Sequence, residues 1–169
     1  MRHAALFIIA ASVALGGQMI SRRLEKRVRL LQKICVLFSC VCTNIEFTAQ
    51  SAADIFSFLS SSGDFDDLPF VKKCSDLLLG GESFEKAWRE SVLCRENTAA
   101  LKRGDLEILL SFGSSFGTTD VLGQAANCKL HMKLAESKLE SAKRELEMYS
   151  KPARSLGVLF GAAVYIIFM

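Results

Sequence analysis

Two residues on one predicted helix have side chains that could carry chemistry. Cys128 and His131 are three positions apart and therefore share a helix face. A thiol beside an imidazole is a possible nucleophile and base, or two ligands of a zinc ion. No further His, Cys or carboxylate lies near them at metal-ligand spacing, and one pair does not define a site. A small membrane-bound enzyme using this pair is one alternative interpretation, but the sequence predicts no catalytic, cofactor-binding or metal-ligating residues.

Three short motifs resemble ligand sites, and each lacks a required part. Asp64, Asp66 and Asp67 are possible calcium ligands, but they lack the order and the distant glutamate of an EF-hand, so helix capping is expected. The Gly80–Glu82 turn is acidic where a phosphate-binding loop needs lysine. Gly113–Gly117 resembles a nucleophile elbow but lies in a predicted helix instead of after a strand. An ATP-driven task would therefore need another subunit.

The six cysteines leave two interpretations open. An even number fits an exported, oxidised protein, whereas three of them occupy apolar positions of predicted helices, where cysteine behaves as a small hydrophobe. No CxxC motif occurs, so reduced core thiols are the preferred interpretation. The cysteines are Cys35, Cys40, Cys42, Cys74, Cys94 and Cys128.

Two long stretches repeat apolar or small residues at spacings that alternate between four and three. This heptad pattern is typical of helices that pack lengthwise. At about 1.5 Å of rise per residue, the predicted helices are roughly 30 and 40 Å long. We predict that they form two paired stalks, and the main seam positions are Leu24, Leu31, Phe38, Met132, Ala135, Leu139 and Ala142.

Shorter segments with helical spacing lie between the stalks. Pro69 suits the first turn of one helix, Gly117 the end of another, and Asp120 the cap of the second stalk. Trp88, the single tryptophan, is expected to anchor the core. Pro152 is expected to break the second stalk from the apolar run that follows it. No β pattern occurs, so the sequence predicts an all-α fold, a six-helix antiparallel bundle that includes both stalks.

Both ends of the chain carry apolar runs next to basic residues. We predict transmembrane anchors at residues 1–21 and 155–169, with residues 22–154 forming a cytoplasmic helical domain. The orientation follows from a one-sided basic cluster at residues 22–33, opposed only by Glu25. The alternative is a signal peptide cleaved near Ala14, which would release an exported helical protein containing disulfides.

The charge distribution bears on the partners. The net charge is +3, and acids and bases are evenly mixed after Lys33, which argues against a nucleic-acid surface. Membrane lipid is an expected partner of the anchors, and a homo-oligomer is possible. Candidate positions for docking a protein partner are charged residues of the helical domain, namely Glu85, Arg89, Glu90 and Arg103.

The chain resembles the stage III sporulation protein AB family of endospore-forming bacteria. The resemblance is carried by Ala87-Trp88, by the segment LKRGDLEILLSFGSSFGTTDVLGQ from Leu101 to Gln124, and by the terminal run SLGVLFGAAVYIIFM. Its most specific features are Gly104-Asp105, Phe116-Gly117, and Gln124 one turn after Asp120. The cysteine-rich stretch from Cys35 to Cys42 departs from the family pattern. More distantly, this family is similar to the F-type inner-membrane platform protein of type II secretion and type IV pilus machines.

The resemblance implies a platform in the mother-cell membrane that faces the forespore. It would be a non-enzymatic subunit of a secretion-like channel complex, without a cofactor. Its helical domain would dock a cytoplasmic secretion-type ATPase, and its anchors would contact other membrane subunits. Platform proteins usually have two helical domains and three membrane spans, whereas this chain is predicted to have one domain and two spans.

Overall fold

A computed structural model describes the secondary structure of residues 2–48, 50–94 and 98–168, and the side chains of residues 19–47, 50–94 and 98–149. The described residues form α-helices and no strand, which confirms the all-α class. The six helices are α1 (Arg2–Thr48), α2 (Ala52–Ser61), α3 (Pro69–Leu79), α4 (Phe84–Leu93), α5 (Arg103–Ser115) and α6 (Val121–Phe168). The chain divides into two compact units, residues 1–28 with 140–169, and Arg29–Leu139. We call them the terminal unit and the central unit.

The short helices of the central unit begin where local chemistry satisfies their first N–H groups. The Ser51 hydroxyl accepts a hydrogen bond from the Asp54 backbone N–H at 3.2 Å and so caps α2. Pro69 is the first residue of α3, where its missing N–H costs nothing. Gly117 follows the end of α5 with φ of +81°, a conformation that side-chain-bearing residues rarely adopt.

The start of α6 matches the predicted cap, but its predicted break does not occur. The Asp120 carboxylate accepts the Gly123 N–H at 2.9 Å, which confirms Asp120 as the cap. The prediction that Pro152 interrupts the helix is wrong, because α6 continues through it to Phe168. An internal proline removes one backbone hydrogen bond, at a cost of about 3 kcal/mol, and good helix formers on both sides can carry the helix across it.

In the central unit, α1 and α6 run antiparallel. The Cys42 thiol points to the Ala125 carbonyl and the Cys128 thiol to the Phe38 carbonyl, at 4.0 and 3.5 Å. Glu46 and Lys129 form an ion pair between the same helices. The remaining helices pack in chain order, α3 between α2 and α4, and α4 against α5. The largest fully buried side chains come from five of the six helices and include Phe38, Phe56, Phe70, Trp88 and Phe112.

Candidate functional site

Trp88 fixes the position of α4, the helix that carries three of the four predicted docking residues. Its indole is fully buried and its Nε1–H donates to the Leu109 carbonyl of α5 at 2.6 Å. The ring also lies directly over Gly113, where an added Cβ would sit 2.2 Å from Cδ1. Phe84 stacks on the indole at 5.7 Å between ring centroids. One face of α4 is therefore held tightly, and its opposite face is left to solvent.

That exposed face carries Glu85, Arg89 and Glu90. Glu90 lies 3.6 Å from the Lys73 ammonium of α3, an ion pair that is open to water. Lys86 pairs with Glu82 at 2.8 Å just before the helix begins. Exposed pairs of this kind contribute little to stability, so these charges can exchange their partners for those of another protein.

Arg103 is on α5, a different helix from the other three predicted docking residues. Its side chain is 93% exposed, and it pairs with Glu107 of the same helix at 3.1 Å. Phe84 at the start of α4 contacts Phe116 just past the end of α5, with 4.3 Å between ring centroids. Arg103 is at the other end of α5. The structure thus places Glu85, Arg89 and Glu90 on the exposed face of α4 and Arg103 at the start of α5.

The predicted seam residues occupy two levels of burial. Leu31, Phe38, Ala135 and Ala142 are buried, whereas Leu24, Met132 and Leu139 are half-buried. In the central unit, α1 and α6 contact each other along the seam through the Cys42 and Cys128 thiols. The small residue at position 135 is 2% exposed, so little space is available for a larger side chain there.

An ion pair in the terminal unit was not identified by the sequence analysis. Arg27 Nη1 donates to Glu145 Oε2 at 2.7 Å, with side-chain exposures of 7% and 24%. Arg27 belongs to the basic cluster at residues 22–33, from which the sequence analysis predicted only the orientation in the membrane. A signal was nevertheless present. The seam continues through Val28, four positions after Leu24, and Leu146, four positions after Ala142, and Arg27 and Glu145 directly precede these two residues.

Cys128 and His131 are not brought together as a reactive pair. His131 is buried, its Nδ1 lies 2.9 Å from the Asn127 carbonyl, and its Nε2 lies 3.1 Å from the Ser111 hydroxyl. The Ser111–His131 contact lies in the middle of two helices, where the backbone N–H groups are used by the helices themselves. These backbone groups are therefore not free to bind an oxyanion, and the geometry of the pair fits a structural contact between α5 and α6.

The other residues considered for chemistry are the possible metal ligands, the aspartates of the Asp64–Asp67 loop and the cysteines. Among the described residues, no three His, Cys, Asp or Glu side chains are grouped so that they could hold a metal ion. The Asp64 carbonyl accepts a hydrogen bond from Lys33 at 2.8 Å, which ties its loop to α1. The cysteines are present as thiols and not as disulfides. Burial raises the pKa of the Cys74 and Cys128 thiols to about 12.

One stretch of the described residues is long and apolar enough to cross a membrane. It is Met19–Phe47 of α1, and half of its most apolar window is buried inside the protein. Core helices of soluble proteins can pass the same test, so this finding gives only weak support for a membrane association. The predicted anchor sequences fall mostly on residues 1–18 and 150–169, whose side chains lie outside the described residues.

The fold and its surface define an all-α protein whose first and last helices pair around a small helical core. The chain belongs to the stage III sporulation protein AB family, because the model of that family matches residues 3–169. The predicted family is therefore confirmed, and the protein has a sporulation-related role.

Two relatives are consistent with this assignment. Stage III sporulation protein AB of Bacillus subtilis (strain 168) is 31% identical over 93 residues, which cover 53% of this chain and 53% of that protein. The match thus spans about half the length of this curated relative. A solved structure of a stage III sporulation protein AB has a TM-score of 0.57 and 20% identity, covering 72% of this chain and 97% of its own. The second likeness shows that the fold is shared.

Proposed function

We propose that this protein is a non-enzymatic membrane platform of a sporulation-specific, secretion-like channel complex. Residues 22–154 would lie in the mother-cell cytoplasm as an F-type-like bundle and dock a secretion-type ATPase. Residues 1–21 and 155–169 would cross the mother-cell membrane that faces the forespore and contact other subunits of the complex. Family membership supports the sporulation context. Among the described residues, Cys128 and His131 do not form a reactive pair and no three possible metal ligands are grouped, which favours a scaffold over an enzyme.

The observation that carries the proposal is that α1 and α6 contribute to both units. They contact each other in the central unit through Cys42 and Cys128. They also contact each other in the terminal unit through Arg27 and Glu145. A partner bound to the central unit would therefore act on the same two helices that carry the predicted anchors. A platform needs this property, because it must pass force from a cytoplasmic motor to the membrane.

The proposal is tested by co-purification from membranes. The full chain, tagged and solubilised from sporulating cells in a mild detergent, should retain a secretion-type ATPase. Arg89→Glu and Arg103→Glu are matched charge reversals on two different helices, α4 and α5. We expect Arg89→Glu to reduce the retained ATPase, because Arg89 lies with the other exposed charges of α4, and Arg103→Glu to retain it.

The opposite pattern would move the docking surface to the start of α5 and leave the proposed function standing. Absence of any such ATPase from the wild-type preparation, in membranes where the other channel subunits do co-purify, would contradict the docking role. Both variants are on exposed side chains, so a loss of ATPase with an unchanged helical circular dichroism spectrum cannot be attributed to unfolding.

A further inference from the structure

One end of the central unit carries a cavity that is partly open to solvent and lined by uncharged residues. It has a volume of about 270 Å³ and lies where α1 and α5 end and α2, α4 and α6 begin. This volume is below the usual range of small-molecule sites, roughly 300–1,000 Å³, and is better suited to a single bulky side chain. The lining residues are Ile45, Gln50, Ser51, Ala52, Phe84, Phe116, Gly117, Val121 and Gln124.

Two helices that line the cavity also carry exposed apolar residues close to the lining residues in the chain. Phe47 and Leu122 are each 80% exposed, the highest values among the large apolar side chains that the structure describes. Val121, which lines the cavity, is also exposed. Exposed apolar side chains that form a patch mark interaction surfaces, and Val121 places one such side chain in the wall of the cavity.

The charges around this end are mainly negative. Within two positions of the lining residues, Glu82 is paired with Lys86 and Glu46 with Lys129. The remaining carboxylates belong to Asp54, Glu85 and Asp120, and none of them has an ion pair among the described side chains. Asp54 and Asp120 receive only local hydrogen bonds at the starts of α2 and α6. The chain segments that line the cavity therefore carry a net negative side-chain charge, and we call Asp54, Glu85 and Asp120 the acidic rim.

We infer that this end of the bundle docks a segment of another protein that inserts one bulky apolar side chain into the cavity and sets lysine or arginine residues against the rim. A basic segment complements the three carboxylates and gains from them in both orientation and association rate. An anionic membrane surface would be repelled by the same rim. A second copy placed symmetrically would oppose one acidic rim to another.

This inference rests on the proposed scaffold function only in requiring a protein partner, and that partner need not be the ATPase. The surface also differs from the α4 face named above, although Glu85 lies at the border of both. The two assignments can thus fail separately.

The test places a photoreactive p-benzoylphenylalanine at Phe47 of the full chain in sporulating cells. The matched control replaces Phe58, an exposed phenylalanine on α2 that lies two turns beyond the lining residue Ala52. Peptide sequencing of the cross-linked product identifies the partner segment. We expect cross-links from position 47 to a segment of another protein with a bulky apolar residue and at least two lysines or arginines within one helical turn, and few from position 58.

Two further variants test the cavity and the rim in the cross-linking chain. Ala52→Phe fills the cavity, and Glu85→Lys reverses one rim charge at an exposed position. Because apolar anchors dominate interface energies, Ala52→Phe should lower the yield by roughly tenfold or more. Glu85→Lys should lower it less, and Arg89→Glu on the α4 face should leave it unchanged. These two variants together decide the question if Ala52→Phe does not fold.

Cross-links to lipid, to a second copy of the chain or to an acidic segment would overturn the inference. Equal yields from positions 47 and 58 would also overturn it. A basic amphipathic segment of a protein other than an ATPase would support this surface and leave ATPase docking to the co-purification experiment.

Discussion

At the scale of single residues, the contact between Trp88 and Gly113 has the least room for change. A Cβ at Gly113 would lie 2.2 Å from the indole Cδ1 and 2.9 Å from Cγ, so the buried ring or the backbone of α5 would have to move. The ring itself cannot shift easily, because its Nε1–H is bonded to the Leu109 carbonyl. The glycine is therefore required by a close approach between helices.

We predict that Gly113→Ala lowers the free energy of unfolding by about 3 kcal/mol, the upper range for overpacking a core. Gly104→Ala on the same helix is the control, because its Cβ would meet only the movable end of Lys138, at 3.1 Å from Nζ. Alanine there should be neutral or stabilise by up to about 1 kcal/mol. Urea unfolding of the solubilised chain, followed by Trp88 fluorescence, measures both. Equal stabilities would show that the indole can relax.

The buried thiols give a pH-dependent prediction. With pKa values of about 12, Cys74 and Cys128 remain protonated at pH 8, so iodoacetamide should alkylate them much more slowly than the half-buried Cys94. Their folded pKa values exceed the value of an unfolded thiol, about 8.5. The stabilisation from this source is thus complete below about pH 8 and is lost as the pH rises toward 12.

Mass spectrometry of alkylated peptides and urea unfolding at pH 7.5 and pH 10 test this together. Rapid alkylation of Cys128 in the folded chain would contradict the buried placement of the thiol. Replacing Cys74 and Cys128 by alanine should remove much of the loss of stability at high pH, because alanine has no proton to release.

Residue-level prediction from the sequence succeeded where partners are close in the chain. The Asp120 cap and the Gly117 helix end depend on neighbours within a few positions, and both are confirmed. The Ser111–His131 contact joins residues 20 positions apart, and it depends on how α5 lies on α6. No local pattern encodes that arrangement. The sequence showed only that His131 is close to Cys128 in the chain, whereas the hydrogen-bond partners of His131 are Ser111 and Asn127.

At the scale of elements, the heptad spacing predicted long helices but gave no indication of how tightly each position is packed. Ala135 is buried in the central unit, and Ser137 of the same helix is exposed. Ala135→Asp should therefore destabilise the fold by about 3 kcal/mol or more, because it buries an unpaired charge. Ser137→Asp, an equally acidic change two positions later, should be nearly neutral.

Urea unfolding and a sporulation assay of each variant give the two readouts. If both variants unfold at the same urea concentration as wild type, α1 and α6 are not packed closely at this level. If Ala135→Asp remains folded yet fails to support sporulation, the seam has a role in transmission that exceeds its role in stability.

The Arg27–Glu145 ion pair makes a prediction about the terminal unit. Removing one partner, as in Arg27→Met, leaves a partly buried carboxylate without its guanidinium and should cost about 3 kcal/mol. Arg27→Met combined with Glu145→Leu should recover most of that loss, since apolar replacement of a buried pair is often neutral. A double-mutant cycle of unfolding free energies measures the coupling. Additive losses would show that the two side chains do not depend on each other.

At the scale of the whole molecule, the order and number of helices could be predicted from periodicity and turn residues. Which surfaces come together could not. Four charged residues were predicted as candidate docking positions, and the sequence did not show that three of them share the exposed face of α4 while Arg103 is at the start of α5. The apolar cavity was not predicted either, because its walls come from the ends of five helices that are far apart in the chain.

The predicted topology is tested by the accessibility of one thiol. Ser62 is exposed at the end of α2, so Ser62→Cys provides a surface reporter. The reporter chain needs only Cys35, Cys40 and Cys94 replaced by serine, because Cys42, Cys74 and Cys128 are buried. The same chain without Ser62→Cys is the control for labelling of the buried thiols.

With the central unit in the mother-cell cytoplasm, a membrane-impermeant maleimide should label Cys at position 62 only after the cells are permeabilised. The basic cluster at residues 22–33 gives the physical reason, since positively charged flanks of an anchor are retained on the cytoplasmic side. Labelling of intact cells would place the unit outside. A cytoplasmic ATPase could not then reach α4, and the cysteines would face an oxidising environment in which disulfide formation becomes the expected chemistry.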